Sequence, residues 1–183
     1  VRRVVASLGA LALALAPGAH ADDGEAPRPV GAREQAPSAT LAVENPRRSG
    51  RRLLSLEDLV GTGTRRDPQR FLVVLALDAA GRAGPIDDAA LGALAVDVAR
   101  RRGLMIGVRA PGVARAGERL DPEARPFVVV SDPHGLARRP LALERPGTVV
   151  LVRIDGRVEA RLPPERFAEL PARIAKLGDE DGA

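Results

Sequence analysis

Few side chains in this 183-residue chain are equipped for chemistry. It has no cysteine, no tryptophan and no tyrosine, and its two histidines are His20 and His134. Thiolate nucleophiles, disulfides, cysteine metal sites and iron–sulfur clusters are therefore excluded for this chain. Ser131, Asp132 and His134 carry the residue types of a hydrolytic triad, but three residues of one turn do not form a relay. A single histidine without cysteine does not make a zinc site. Met105 lies in an apolar run and reads as core filler. Gly61-Thr62-Gly63 and the Gly81/Gly84 pair lack the Lys-Ser/Thr that a phosphate loop requires. The residues thus assign no catalytic group, metal or cofactor.

Charge narrows the partners. Lys and Arg total 28 against 24 Asp and Glu, a net of +4. Lys176 is the one lysine, so nearly all of the positive charge is guanidinium. Four arginines cluster at 47, 48, 51 and 52, a basic loop able to meet acidic lipid, polysaccharide or nucleic acid, or to stand in solvent. With 2% aromatic residues there are few platforms for stacking bases, and the near balance of charge argues against nucleic acid.

The first residues carry an address. Arg2-Arg3, the apolar stretch Val4–Ala16 and the small-x-small triplet Ala19-His20-Ala21 predict a secretory signal over residues 1–21, cleaved after Ala21. The stretch is too short for a stable span, so the mature chain is expected in a periplasmic or extracellular space. The twin arginines leave open a folded-protein export route. Val at position 1 fits an alternative start codon, and hence a bacterial gene.

After a Pro- and Gly-rich lead-in (22–35), one domain is expected over 36–178, ending in an acidic tail (179–183). Thr40–Val43 and Arg52–Leu56 are short strand candidates around a loop at Glu44–Gly50. Phe71–Leu77 is apolar throughout, the signature of a strand covered on both faces. Leu91, Leu94, Ala95 and Val98 mark a helix face, with Asp87 or Asp88 as the cap and Gly103 as the stop. Leu104–Val108 completes a βαβ unit with parallel strands. A loop at Ala110–Pro126 leads to a strand at Phe127–Val130 and a turn at Ser131–Gly135, followed by at most a short helix. Thr148–Arg153 and Arg157–Arg161 flank the hairpin signal Asp155-Gly156. Phe167, Leu170, Ile174 and Leu177 lie on one face of a closing helix that begins at Pro163-Pro164.

This order, with its wording, resembles the redoxins of the alkyl hydroperoxide reductase and thiol-specific antioxidant (peroxiredoxin-like) family. The resemblance is carried by Val30-Gly31 with Ala36–Leu41, by Ser55–Gly61 (SLEDLVG), by Phe127–Arg138 (FVVVSDPHGLAR) and by Arg145–Val158 (RPGTVVLVRIDGRV). It spans about Val30 to Leu177 and implies an α/β thioredoxin-like fold: a central mixed sheet flanked by helices, with short N-terminal strands.

Family members place their cysteines between the central strand and the next helix. Here Ala83-Gly84-Pro85-Ile86 resembles a Cys-Gly-Pro-Cys motif with both cysteines replaced. Peroxide reduction and disulfide exchange need a thiolate, so the activity implied by the family should be absent. The former crevice would be bordered by Asp78, Arg82, Arg109, Arg145 and Pro146. Three roles stay open on these residues. One is a non-catalytic module for a protein partner, another a binder of a small anion or cofactor through the arginines. The third is an oxidoreductase that works without thiols.

Overall fold

The computed structural model describes residues 34–59 and 69–180, with side chains to residue 177; they belong to one compact unit, Arg33–Ala183. The signal segment, most of the lead-in and Gly61-Thr62-Gly63 lie outside the described residues.

Seven strands form one mixed sheet: β1 (Thr40–Val43), β2 (Leu53–Ser55), β3 (Phe71–Leu77), β4 (Leu104–Arg109), β5 (Val128–Ser131), β6 (Val149–Arg153) and β7 (Val158–Leu162). Their order is β2-β1-β5-β4-β3-β6-β7. The three central strands, β5, β4 and β3, run parallel, and β1 and β6 flank them antiparallel. The sequence expectation of a parallel βαβ unit is met by β3, helix α3 (Asp88–Arg100) and β4.

The apolar run of β3 is explained by its two faces. Leu72, Val74 and Ala76 enter a core with Leu41, Leu54, Ile106, Val130 and Leu141. Phe71, Val73, Leu75 and Leu77 enter the opposite core, closed by Leu91, Leu94 and Val98 of α3 and by Leu170 and Ile174 of α4 (Leu170–Glu180). Met105 is buried there, as core filler should be. Every residue of the strand is therefore buried, and alternation disappears.

Local structure departs from the sequence reading at several points. The loop Glu44–Gly50 contains a one-turn helix α1 (Pro46–Ser49), and Ser55 runs directly into α2 (Leu56–Leu59). Asp87, not Asp88, caps α3, its carboxylate accepting from Ala90 N at 2.7 Å. Gly103 does not stop the helix; Arg102, at φ 58°, makes the left-handed turn. Gly103 serves close packing instead, since a Cβ there would collide with the Phe71 ring. After the Ser131–Gly135 turn, where at most a short helix was expected, residues 136–142 run as turns. The closing segment starts as a 3-10 turn (Pro164–Glu169) before α4, and α4 runs through Glu180. Glu34 and Gln35, assigned to the lead-in, are bound to the β6–β7 hairpin.

Candidate functional site

The stretch that follows the central strand is a tightly tied loop. Asp78 closes a turn at the end of β3, accepting from Arg82 N at 2.8 Å, while its own N–H donates to Arg82 O at 2.9 Å. Ala83 and Ile86 then face each other across a bridge, with Ile86 N donating to Ala83 O at 3.2 Å. Gly84 turns the tetrapeptide at φ 61°, and a Cβ at this position would lie 2.7 Å from Pro146 O. Gly147 is as close from the other side: its Cβ would meet Ala83 O at 2.7 Å. Sequence-distant segments 83–84 and 146–147 are thus pressed backbone to backbone.

A buried arginine clamps both ends of this loop. Arg125 donates through Nη2 to Gly81 O at 2.8 Å and pairs through Nη1 with Asp88 at the start of α3. Leu120 N adds a bond to Ala80 O at 2.9 Å. The loop after β3 is consequently held from the Ala110–Pro126 segment, which the sequence presented only as a connecting loop.

The arginines proposed for the crevice do not share one ligand site. Arg109 donates Nε to Glu44 at 2.7 Å and Nη1 to Ala79 O at 3.1 Å, and Arg119 reaches the same carboxylate at 3.5 Å. Arg145 pairs with Glu165 at the surface, Nη1 to Oε2 at 3.3 Å. Arg82 is exposed in the turn after β3. Two of the three guanidiniums therefore already face carboxylates.

What opens beside the tetrapeptide is a groove of about 710 Å³ lined by Pro85, Ile86, Asp87, Ala90, Arg145, Pro164, Glu165 and Phe167. Its floor is apolar, and Asp87, Arg145 and Glu165 supply charges of both signs. Of the sequence candidates, Pro85, Ile86 and Arg145 line it, while Pro146 backs Gly84. Phe167 was legible only as part of a helix face; the 3-10 turn leaves it half-buried and available to the groove. The Pro163-Pro164 pair was the one local signal for that turn.

At the C-terminal ends of the parallel strands, where open α/β sheets bind ligands, a side chain takes the space. Arg138, 7% exposed, donates Nη1 to Leu77 O and Val108 O, both at 3.0 Å, and Nη2 to Glu144 O at 3.2 Å. Burial pushes its guanidinium below the ordinary range, opposed by Asp132 and Glu144. Asp132 gives its two carboxylate oxygens to the N–H groups of Leu136, Ala137 and Arg138. His134 is exposed in the turn. With Asp132 so engaged, Ser131, Asp132 and His134 form no relay. Among the described residues no group of three His, Cys, Asp or Glu could hold a metal.

Comparison with solved structures decides the architecture. Thioredoxin peroxidase I of Plasmodium yoelii superposes with a TM-score of 0.59 at 15% identity, covering 82% of this chain and 92% of that one. The chain has the thioredoxin-like fold. A secreted Mycobacterium tuberculosis disulfide oxidoreductase, described as homologous to E. coli DsbE, matches at TM-score 0.52 and 15% identity, over 76% and 96% of the two chains. The mitochondrial 2-Cys peroxiredoxin of Plasmodium falciparum gives 0.57 at 11%, over 82% and 96%. No protein-family profile and no curated protein matches. The chain has no cysteine.

Proposed function

We propose that this is an exported, non-catalytic member of the redoxin group, a thioredoxin-like domain that has kept a binding groove after losing thiol chemistry. The observation that carries the reading is the groove itself, whose apolar floor of Pro85, Ile86, Ala90, Pro164 and Phe167 lies beside the Ala83–Ile86 turn. Without a thiolate there is no attack on peroxide or disulfide, whereas shape and apolar surface remain. The occupant is an extended segment of another exported protein presenting an apolar side chain. Export is supported by the Arg2-Arg3, apolar and Ala-x-Ala pattern and by the secreted disulfide oxidoreductase among the structural neighbours.

The small-anion alternative loses support from the ion pairs of Arg109 and Arg145. The test is affinity capture from an envelope fraction, comparing the parent protein with Ala90→Arg, which fills the groove, and with Arg115→Gln, an exposed arginine that does not line it. A stoichiometric partner lost only with Ala90→Arg supports the reading. No partner above background, or one retained by Ala90→Arg, overturns it.

A further inference from the structure

Arginines without a carboxylate partner are scattered over the described residues, at Arg82, Arg100, Arg102, Arg115 and Arg139, except at one place where four stand together. Arg101, Arg109, Arg125, Arg161 and Arg166 each lie within ion-pair distance of a carboxylate. Arg47, Arg48, Arg51 and Arg52 are all exposed, and among the described residues no carboxylate pairs with any of them. Four guanidiniums without a carboxylate partner among the described residues thus fall within six residues, and of these Arg48 donates to Pro126 O at 3.3 Å.

The backbone holds them in place. Asn45, fully buried, donates to Pro122 O at 3.0 Å and Phe127 O at 2.8 Å and accepts from Val129 N at 2.8 Å, which fixes the start of α1 on β5. Gly50, at φ 67°, closes α1 with its N–H on Pro46 O. Ser49 Oγ accepts from Arg51 N at 3.1 Å, and Arg52 O accepts from Val43 N at 2.8 Å. Leu53 follows directly, 61% exposed, opposite the exposed Ala42 on the β1–β2 ribbon. An ordered basic turn therefore ends on an apolar side chain at the sheet edge.

We infer that the Arg47–Leu53 turn is a peripheral docking surface for a bilayer bearing anionic headgroups. The guanidiniums would meet lipid phosphates, and Leu53 would enter the interface. Basic side chains near such a surface add roughly a fivefold gain in partition each, so four give weak, reversible association. A single-stranded nucleic acid is the poorer fit, because no aromatic residue stands among the arginines to stack on bases.

The test is co-sedimentation of the full chain with vesicles of phosphatidylcholine alone or with 30% phosphatidylglycerol, at low and at physiological salt. The expected result is selective binding to anionic vesicles that weakens with salt. Replacing all four arginines by glutamine should lower it by at least about a hundredfold. A charge-matched control, Arg100, Arg102, Arg115 and Arg139→Gln, should change it by less than about threefold. Residues 1–33 are common to all forms and cancel in the comparison. Should the fourfold variant misfold, Arg51→Gln with Arg52→Gln should still cost about 25-fold, and Leu53→Gln should weaken binding with the salt slope unchanged. Equal loss in the control, equal binding to neutral vesicles, or tighter retention on duplex DNA at equal phosphate would overturn the assignment.

Discussion

Arg138 and Leu77, 61 residues apart, are joined by a 3.0 Å hydrogen bond from Nη1 to the last carbonyl of the central strand. The same nitrogen serves Val108 O at the end of β4. One guanidinium thereby ties two neighbouring strand ends together, adding a second donor to Leu77 O, which also accepts from Ala110 N at 2.9 Å. Arg138→Met keeps the aliphatic bulk but removes the guanidinium's hydrogen bonds to Leu77 O, Val108 O and Glu144 O, of which Leu77 O keeps Ala110 N as a donor, and should cost about 2 kcal/mol of stability. Urea unfolding checks this; a loss below 1 kcal/mol would mean that water replaces the guanidinium.

Two glycines separate conformational strain from collision. Gly50 and Gly84 both have φ in the left-handed region, but a Cβ on Gly50 meets nothing within 4 Å whereas one on Gly84 meets Pro146 O at 2.7 Å. Gly50→Ala should cost about 1 kcal/mol, the left-handed penalty alone. Gly84→Ala should cost about 3 kcal/mol, because backbone on both sides must move. Equal losses in thermal unfolding would refute the close approach of the two segments.

The Ala83–Ile86 bridge gives a geometric reason to expect that a disulfide would fit. Bridge partners in an antiparallel pair have Cα atoms about 4.5–5.5 Å apart, inside the range disulfides span. Ala83→Cys with Ile86→Cys should therefore oxidise intramolecularly. Thiol titration before and after dithiothreitol measures it, and two free thiols persisting after treatment with oxidised glutathione would show that the turn cannot carry the bond.

Glu169 sets an acid-side dependence. Hydrogen bonds first from Arg166 and then from Arg173 hold its carboxyl at about 2, against an ordinary value of 4.5. The unfolded chain takes up this proton at higher pH than the folded one, so the contribution is complete above about pH 4.5 and is lost as pH falls toward 2. The group is exposed, so the effect is small. Urea midpoints of the parent and Glu169→Gln should differ above pH 4.5 and converge near pH 2; a constant gap would remove Glu169 from the acid limb.

Where local patterns dominate, the sequence was readable. The bounds of β1 and β3 and the four buried positions of α3 followed from apolar spacing, and the hairpin at Asp155-Gly156 from turn chemistry. What escaped was long-range and polar. Arg125, Arg138 and Asn45 are buried because carbonyl groups from distant segments converge on them, and an arginine or asparagine in a loop gives no local sign of such a role. The same holds for Arg109, whose place beside Glu44 depends on β1 lying next to β5. The groove was half visible: Pro85, Ile86 and Arg145 were singled out, but Ala90, Glu165 and Phe167 join it only through the packing of α3 against the segment after β7.

The attachment of the first described residues to the last hairpin bears on the order of assembly. Ala36 N donates to Gly156 O, Val158 N donates to Glu34 O, and Glu34 pairs with Arg161 at 2.7 Å. During synthesis the segment from Glu34 through β1 emerges with neither of its partners available. β1 must wait for β5, and Glu34–Gln35 for a turn some 120 residues later. Such loop closures slow folding, and until they occur Leu41 and Leu54, buried in the finished fold, have no core to enter.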